Sequence, residues 1–493
     1  MAGNQNLSYH RVSERIYDLT GLRTGSVRDQ MLRAILLVDG LVSDSKEISD
    51  KYGEGLLVLG GGVAGVSCAL AAAQLNVRVT LIEEQLKVFS TLLLVDWRRI
   101  DPYEYDWPHP VPQRRNFPKR SSFPLQYDGG TAASVARSWE AAFDAWMLRR
   151  NPAFGSPGHL EFLRQTDARN FKYRLAKFKH QSKTSKRVLA SGLWPGGNGP
   201  SKRTYGALVV CAGFGRERTF DPNRNYPFVG PGFWTENDML DKQDFALTHP
   251  PRVLISGGGD GAMQDLQRAA SGKFGKELFD ELEAALGFGA RLSGYFLPLA
   301  LADDRAKRAY AWKGEKGLSS KLIQEMREWH RTYVKVVDDI IQDYAKLCGT
   351  TVSNAVNDLA NRLLKPAIIA DPRAEVTWIV KDQHPNYAYA LNRFLSIFVV
   401  HLLESVRPGT DIFRTETEVV NITAVNPSLH SCGNPLTCHG VPHKVTLSER
   451  SFILEPEEFD VIILRHGLER LHLSGLPCGA PIPDQMVPYD IPS

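Results

Sequence analysis

Short, fully apolar runs alternate with glycine-rich turns and helix-forming stretches along much of the chain. Leu56–Leu59 has no polar position, which is typical of a strand buried on both faces of a parallel sheet. The residues after it, VAGVSCALAAAQLN, are mostly small and predict a helix, and a second apolar run ends at Ile82. The order of strand, helix and strand predicts a βαβ unit. Similar runs recur at Ala207–Cys211, Val253–Ser256 and Val461–Leu464.

The pattern between these runs predicts the connections. Apolar residues at helical spacing from Val27 to Val42, after a possible N-cap at Ser26, predict a helical lead-in over residues 1–54. Residues 161–204 alternate as antiparallel strands and turns do, which predicts a β-meander. Residues 275–370 are largely helical in pattern. The chain therefore reads as α/β with one long helical insertion.

A glycine-rich turn follows the first apolar run. Gly60, Gly62 and Gly65 fit the spacing G-x-G-x-x-G between a strand and a helix. In this pattern the first glycine permits a tight turn, the second lets the backbone approach a pyrophosphate, and the third lets the helix pack against the strand. The helix N-terminus then directs free N–H groups at the phosphates. The turn predicts a dinucleotide site.

A carboxylate stands at the ribose end of this predicted site. Glu83 ends the second strand, 18 residues after Gly65, where a carboxylate can accept hydrogen bonds from both ribose hydroxyls. A carboxylate at this position repels a 2′-phosphate. The residues therefore favour FAD or NAD over NADP at the first turn.

A second turn repeats the architecture 197 residues further on. In VLISGGGDGAMQDLQRA, Gly257, Gly259 and Ala262 fit G-x-G-x-x-A, and alanine is tolerated in the third place. With GGGVAG at 60–65, ALVVCAG at 207–213 and GGGDGAMQD at 257–265, the chain resembles the two-dinucleotide-binding-domain flavoproteins. That group contains thioredoxin reductase and the pyridine nucleotide-disulfide oxidoreductases. The resemblance implies FAD at the first turn and NAD or NADP at the second.

The turns and the resemblance together define the expected architecture. We predict an α/β fold with two Rossmann-like, FAD/NAD(P)-binding units, a helical insertion and antiparallel β-meander connections. The expected domains are the lead-in 1–54, a first dinucleotide-binding domain of 55–230 with 455–493, and a second of 231–454 that includes the insertion. The residues predicted to contact cofactor are Gly60, Gly61, Gly62, Val63, Ala64, Gly65, Glu83, Glu84, Arg99, Gly213, Gly257, Gly259, Asp260 and Ala262.

The leading functional hypothesis is an FAD-dependent oxidoreductase that can use NAD(P)H on a small-molecule substrate. The sequence contains no Cys-x-x-Cys, so the dithiol relay of the disulfide reductases is absent. The resemblance implies small residues at the end of the stretch 459–467, where this chain has Arg465 and His466. It also implies a Gly-Asp pair that helps to hold FAD, and no Gly-Asp follows Gly467. These departures leave open a non-catalytic dinucleotide-binding sensor or assembly component. A third alternative is a ubiquitin-activating-type adenylating enzyme, for which Asp96 with Arg98 or Arg99 are the candidate residues.

Composition and charge exclude few further classes. Lys and Arg number 59 against 55 Asp and Glu, which gives a formal charge of +4, too small to indicate a nucleic-acid or membrane partner. No apolar run reaches the ~20 residues needed to span a bilayer, and six cysteines in 493 residues are no disulfide framework. We expect a cytoplasmic protein and leave its oligomeric state open. Residues 168–216 carry eleven Lys or Arg and no acid, which predicts a solvated basic meander in preference to a nucleic-acid surface.

Weaker constellations supply candidates for substrate, catalysis and metal. His384, Asn386, Tyr387 and Arg393 follow the strand VTWIV, where α/β folds place ligands, and are the predicted substrate residues. His466 follows a buried strand and is the candidate for proton transfer. No metal site is predicted, because the spacing of the following cluster is not that of a zinc site. Its residues are His430, Cys432, Cys438, His439 and His443.

One loop has two interpretations. YEYDWPHP, with Asp106, Trp107 and His109, comes after the ribose-binding strand together with Asp96–Arg99. Its aromatic residues and prolines suit either a cofactor-side loop or a packed, proline-rich connection.

Overall fold

Two parallel sheets, each with a helix that starts at a glycine turn, organise the chain. The computed structural model describes residues 10–20, 26–43, 48, 55–108, 125–180, 183–213, 216–221, 228–234, 251–311, 320–364, 375–385, 388–425, 442–469 and 475–478. Two compact units are present. The first unit comprises residues 1–100, 113–216 and 469–493, and the second unit comprises residues 101–112 and 217–468.

The helices and strands are numbered in chain order. The strands are β1 Arg11–Ser13, β2 Ile16–Asp18, β3 Leu56–Leu59, β4 Val79–Ile82, β5 Arg99–Ile100, β6 Gly130–Thr131, β7 Leu160–Leu163, β8 Lys172–His180, β9 Lys183–Leu193, β10 Pro200–Tyr205, β11 Ala207–Val210, β12 Arg216–Glu217, β13 Arg252–Ser256, β14 Glu375–Ile379, β15 Phe413–Arg414, β16 Thr417–Ala424, β17 His443–Glu449, β18 Phe452–Ile453, β19 Glu457–Phe459, β20 Val461–Leu464 and β21 Leu468–Glu469. The α-helices are α1 Val27–Ser43, α2 Val63–Gln74, α3 Ser90–Leu93, α4 Pro102–Asp106, α5 Ala132–Arg149, α6 Asp260–Ser271, α7 Gly275–Leu286, α8 Phe296–Ala311, α9 Ser320–Leu347, α10 Val352–Leu363 and α11 Ala390–Val406. Short 3-10 helices occupy Ala168–Asn170 and Gly289–Tyr295.

The first unit is built on a six-stranded sheet in the order β1-β2-β11-β3-β4-β7. All neighbouring strands are parallel except β1, which is antiparallel to β2. α1 lies against α2, where the Cys68 Sγ is 3.7 Å from the Ala34 carbonyl oxygen. The meander β8–β9–β10 covers a face of the sheet, since Phe171 and Trp194 share one apolar cluster with Leu57. The predicted meander is present, and within the predicted helical lead-in 1–54 a helix, α1, covers residues 27–43.

The second unit has a four-stranded parallel sheet in the order β15-β14-β13-β20. Its strands alternate between two apolar cores. Val253 and Ile255 face a helical layer, whereas Leu254 faces the antiparallel strands β16–β19, with Val445 in the same cluster. Such alternation is what a strand with both faces covered requires. The fold class predicted from the sequence, α/β with two Rossmann-like units, is confirmed.

The helical insertion belongs to the crossover of the second βαβ motif. In the first unit α2 leads almost directly into β4, whereas in the second α7 to α10 lie between α6 and β14. Their buried residues form one core with the parallel sheet, including Trp329, Tyr333 and Leu359. The insertion is therefore part of the second unit's own core.

Three assignments made from the sequence differ in the structure. β20 was expected to complete the first unit, but it pairs with β13, because its residues alternate between the two cores of the second unit. Trp107, placed with the first domain by the range 55–230, packs among Phe279, Phe296 and Phe394 of the second unit. β1 and β2, within the predicted helical lead-in, extend the first sheet beside β11, with β1 at its edge.

No helix among the described residues is by itself both long enough and apolar enough to cross a membrane. One pair of helices joined by a bend, 275–286 with 291–306, reaches the necessary length and composition when the two are taken together.

Candidate functional site

The first glycine turn is a tightly packed connection between β3 and α2. Gly60 has φ +106°, and a Cβ there would lie 2.5 Å from the Cys211 carbonyl oxygen. A Cβ on Gly65 would lie 1.8 Å from the Gly60 carbonyl oxygen, which is possible for no side chain. Gly62 differs, because a Cβ there would meet nothing within 4 Å and the residue is exposed. Packing within the protein therefore requires glycine at positions 60 and 65 but not at position 62.

The N-terminus of α2 points an open backbone surface toward solvent at this turn. Gly62 is the N-cap residue and provides no side-chain cap. The N–H groups of Val63, Ala64 and Gly65 belong to the first helical turn, where no earlier helical carbonyl can accept them. Open N–H groups and the positive end of the helix dipole together favour an anion beside Gly62.

Glu83 lies beside this turn, at the end of β4. One carboxylate oxygen accepts the Gly61 N–H, and the other accepts the Gln85 N–H at 2.8 Å. Burial raises the pKa of Glu83, and the two backbone hydrogen bonds oppose that shift. A carboxylate has about four acceptor sites, so ribose hydroxyls can donate to the same group. The predicted neighbours Gly60, Gly61, Gly62 and Glu83 therefore lie together.

The other residues predicted for the first site are less directly placed. Glu84 is exposed and forms an ion pair with Arg169 at 3.0 Å. Arg99 lies in the short ladder of β5 with β6, opposite Thr131. Gly213 has φ +83° and comes directly after Cys211 and Ala212, the two residues that follow β11. Their role in cofactor binding stays a prediction.

The second turn repeats the first in its backbone register. The Gly60 N–H donates to the Ile82 carbonyl at 2.8 Å, and the Gly257 N–H donates to the Ile379 carbonyl at 3.0 Å. Gly259 is the N-cap of α6, and a Cβ on it would meet nothing within 4 Å. Ala262 is fully buried where Gly65 lies in the first unit. Both turns offer the same backbone surface.

Asp260 joins the second turn to the predicted substrate segment. Its Oδ1 accepts the Tyr389 N–H and the Asn392 side-chain amide, each at 2.8 Å. Burial raises the pKa of Asp260 to about 6, against both hydrogen bonds and the nearby charge of Arg393. The 257–262 turn and the start of α11, which the sequence treated as separate candidates, are therefore one region.

Two of the predicted substrate residues, His384 and Arg393, lie near this start of α11. Arg393 is fully buried, with its guanidinium 3.4 Å from the centroid of the Trp329 ring and one nitrogen donating to the Pro385 carbonyl at 2.7 Å. His384 stacks on His330 at 4.9 Å between ring centroids. Burial lowers the pKa of His330 to about 3, so this imidazole is neutral at pH 7. Asn386 and Tyr387 lie outside the described residues.

His466, the candidate for proton transfer, lies at the carboxyl end of β20 in the second unit. It was expected beside a flavin held by the first unit. Its Nε2 is 2.8 Å from the Ser256 Oγ, and burial lowers its pKa. The sequence assigned it to the wrong unit because β20 was expected in the first sheet.

Several weaker candidates have structural partners. Asp96 forms an exposed ion pair with Arg137, and Arg98 is fully buried over the Trp97 ring. Their role in an adenylating site stays a prediction. In the basic segment 168–216, Arg203 pairs with Glu161. Other paired residues of that segment are Arg169 with Asp167 and Lys186 with Glu14.

Most of the Cys/His cluster lies outside the described residues. His430, Cys432, Cys438, His439 and also His109 of the proline-rich loop are in this group. His443 is fully buried, edge-on to Phe228. Among the residues that the structure does describe, no group of three or more His, Cys, Asp or Glu is arranged to hold a metal ion.

The sequence missed what lies beneath each turn. In the first unit, burial and the neighbouring Cys68 of α2 raise the pKa of the Cys211 thiol. In the second unit, Arg465 Nε donates to Asp265 Oδ2 of α6 at 2.8 Å. The positions correspond, since Cys211 and Arg465 both donate their N–H to the end of the first strand. The two glycine turns are 197 residues apart, and the same offset relates Cys68 to Asp265. Aligning the two units beyond the glycine turns would therefore have matched these two residues.

The fold and the two turns define an α/β protein with paired Rossmann-like units. The family model for glucose inhibited division protein A matches residues 55–93, which include the first turn and Glu83. No curated protein matches the chain.

Three solved structures illustrate what the structure search matched. They are bacillithiol disulfide reductase Bdr from Staphylococcus aureus (9% identity, 86% of this chain and 80% of that one, TM-score 0.38), Lactococcus lactis thioredoxin reductase (9%, 86% and 81%, 0.32) and OTEMO in complex with FAD and NADP (13%, 84% and 71%, 0.34). Identities and TM-scores this low carry no functional argument, so function rests on this chain's residues.

Proposed function

We propose that the protein is an FAD-dependent oxidoreductase whose first turn binds the ADP half of FAD. The observation that carries this proposal is Gly62, an exposed glycine with free space at its Cβ position, at the open N-terminus of α2 and beside Glu83. Packing gives no reason for glycine there, whereas the close approach of a pyrophosphate does.

The residues of the chain bind and orient the cofactor. The N–H groups of the first turn of α2 donate to the pyrophosphate. Glu83 accepts hydrogen bonds from the ribose hydroxyls, and its bond from Gly61 fixes the carboxylate in place. When bound, the flavin supplies the redox chemistry itself.

The second turn is proposed to receive a nicotinamide dinucleotide. Its support is the shared backbone register and the open position of Gly259. A small-molecule substrate fits such a protein. The four cysteines within the described residues are free thiols, which supports a reducing compartment and hence the cytoplasm.

One pair of variants tests both sites. Gly62 and Gly259 have φ −73° and −96°, and a methyl group at either meets no protein atom within 4 Å, so Gly62→Ala and Gly259→Ala should fold normally. We expect Gly62→Ala to lose FAD, measured as flavin absorbance per purified chain. Gly259→Ala should keep FAD but no longer be reduced by NADH or NADPH. FAD retained fully by Gly62→Ala would refute the first site.

A non-catalytic dinucleotide-binding protein is the second candidate. It is supported by His466, the candidate for proton transfer, whose imidazole is largely buried and already engaged by the Ser256 hydroxyl. Wild-type protein that holds FAD but is reduced by neither NADH nor NADPH would support it.

A further inference from the structure

Two consecutive β-turns form the loop between α5 and β7 in the first unit. In the first of them the Ser156 N–H donates to the Ala153 carbonyl at 3.0 Å, and Gly155 has φ +82°. This hydrogen bond and the positive φ at the third residue are those of a type II turn, in which Phe154 is the second residue. The second turn follows directly, with a 3.1 Å hydrogen bond from the His159 N–H to the Ser156 carbonyl. Phe154 therefore lies at the end of a loop with a defined backbone.

Side chains at the base of this loop fix it to the unit. The Asn151 Nδ2 donates to the Leu160 carbonyl, and the Asn151 Oδ1 accepts the Leu160 N–H, each at 2.9 Å. The His159 Nδ1 is 2.8 Å from the Pro152 carbonyl oxygen. The loop is held at both of its ends, so the exposure of Phe154 is a property of the folded chain.

Two large apolar side chains are exposed at the α5 tip, which comprises residues 148–158. Leu148, in the last turn of α5, is 84% exposed and Phe154 is 80% exposed, the two highest values among the large apolar side chains that the structure describes. Six residues separate them, so their Cα atoms are at most about 22 Å apart. Their apolar surface is left in water by the fold, and its burial against another apolar phase is favourable.

Two cations lie between these apolar side chains. Arg149 and Arg150 are both exposed, and neither forms an ion pair with any residue that the structure describes. Residues 145–160 contain no Asp or Glu. The α5 tip therefore combines exposed apolar groups with guanidinium groups that lack acidic partners.

The carboxylates nearest in the sequence leave this charge largely uncompensated. Glu140 of α5 pairs with Lys87 at 3.0 Å, and Glu161 of β7 pairs with Arg203. Asp144 is exposed and lies five residues before the first of the two arginines, which is about 7.5 Å along the helix axis. One carboxylate at that distance against two arginines leaves the α5 tip positively charged.

A cavity of about 570 Å³ opens between the α5 tip and the end of α2. Trp146, Pro152 and Leu75 form its apolar walls, and Asn76 and Arg150 are among its polar groups. Among the described residues that line it, Arg150 is the only charged one. The cavity thus offers an anionic headgroup a concave place beside a guanidinium group.

We propose that the α5 tip binds the surface of an anionic lipid membrane. Phe154 and Leu148 enter the boundary between headgroups and acyl chains, and Arg149 and Arg150 contact lipid phosphates. Charge complementarity favours this partner over a second copy of the chain, whose own arginines would be repelled. The formal charge of +4 conceals the site because it averages over the whole chain. The 12 residues of α2 separate the site from the first glycine turn by about 18 Å, and the proposal does not depend on FAD.

Cosedimentation of the full-length protein with vesicles tests the proposal. Vesicles of phosphatidylcholine and phosphatidylserine in equal parts are compared with vesicles of phosphatidylcholine alone. We expect binding to the anionic vesicles only, and weaker binding as the salt concentration rises. Phe154→Ala should weaken this binding about tenfold or more, and so should the double variant Arg149→Ala with Arg150→Ala.

Matched controls come from the meander of the same unit. Leu193→Ala alters an apolar side chain that is 64% exposed, and Lys177→Ala with Lys202→Ala removes two exposed cations. Neither control should weaken binding to the anionic vesicles. Equal urea midpoints for all variants would show that they fold alike.

Three results would overturn the proposal. The first is a wild-type protein that does not bind the anionic vesicles. The second is an equal loss of binding in the tip variants and the meander controls, or binding kept in full by both tip variants. The third is a dimer in solution that Phe154→Ala abolishes, without vesicle binding, which would assign the α5 tip to a second copy of the chain.

Discussion

Asp260 offers the sharpest quantitative prediction, because its carboxyl is held at the N-terminus of α6 in a largely dehydrated place. Asp260→Asn keeps an acceptor oxygen for the Tyr389 N–H and the Asn392 amide. The variant therefore removes the charge and preserves the hydrogen bonds. Its effect on stability should depend on pH alone.

The sign follows from the raised pKa. The pKa of Asp260 is about 6 in the folded protein against 3.8 for an ordinary aspartate, so the folded state holds the proton more tightly than the unfolded chain. Stability of the wild type therefore falls as pH rises from about 4 to 6. The full penalty is about 3 kcal/mol, from 1.36 kcal/mol for each unit of pKa. Asn carries no such penalty.

Urea unfolding of both proteins at pH 4 and pH 8 measures the effect. The two free energies of unfolding should be similar at pH 4, and Asp260→Asn should be more stable by up to about 3 kcal/mol at pH 8. A difference that is the same at both pH values would show that the carboxyl is not dehydrated as described. A variant less stable at pH 8 would show that its charge stabilises α6.

Further variants test the turns and their supports. Glu83→Gln should weaken FAD binding, measured as flavin released on dilution. Glu84→Gln is the control and should not weaken it, because Glu84 is exposed and pairs with Arg169. Equal release of flavin from both variants would contradict the role of Glu83 at the ribose. Since the pKa of Glu83 is raised above its usual 4.5, wild type should also release FAD as pH falls through that higher value, and Glu83→Gln should show no such dependence. Gly65→Ala should lower the free energy of unfolding by about 3 kcal/mol or more, because its Cβ overlaps the Gly60 carbonyl, and an unchanged urea midpoint would argue against that packing. Asp265→Asn should cost about 3 kcal/mol, because it leaves the buried Arg465 guanidinium only its longer ion pair with Glu217, at 3.7 Å; a loss below 1 kcal/mol would mean that the pair with Asp265 is hydrated.

The sequence predicted well which residues form the tight turns and the strand ends. Gly60, Gly65 and the small residues of α2 were recognisable because tight backbone packing tolerates few alternatives. Glu83 was recognisable because its position is fixed by the end of a strand.

What it could not predict is the choice of partner between distant segments. β20 is apolar at every position, so its pattern suits the centre of either sheet, and only its packing between two cores assigns it to the second. The contact between Arg327 of α9 and Gln383 in the loop after β14 could not be foreseen either, because 56 residues separate the two along the chain.

The location of the helical insertion has an evolutionary consequence. It enters between α6 and β14, so the glycine turn, the sheet register and the strand ends on either side are the same with or without it. Substitutions within α7 to α10 can therefore change the apolar core of the second unit without touching the backbone of its glycine turn. The first unit has no such insertion in its short crossover between α2 and β4. The two halves of this duplicated architecture are thus open to selection to different degrees.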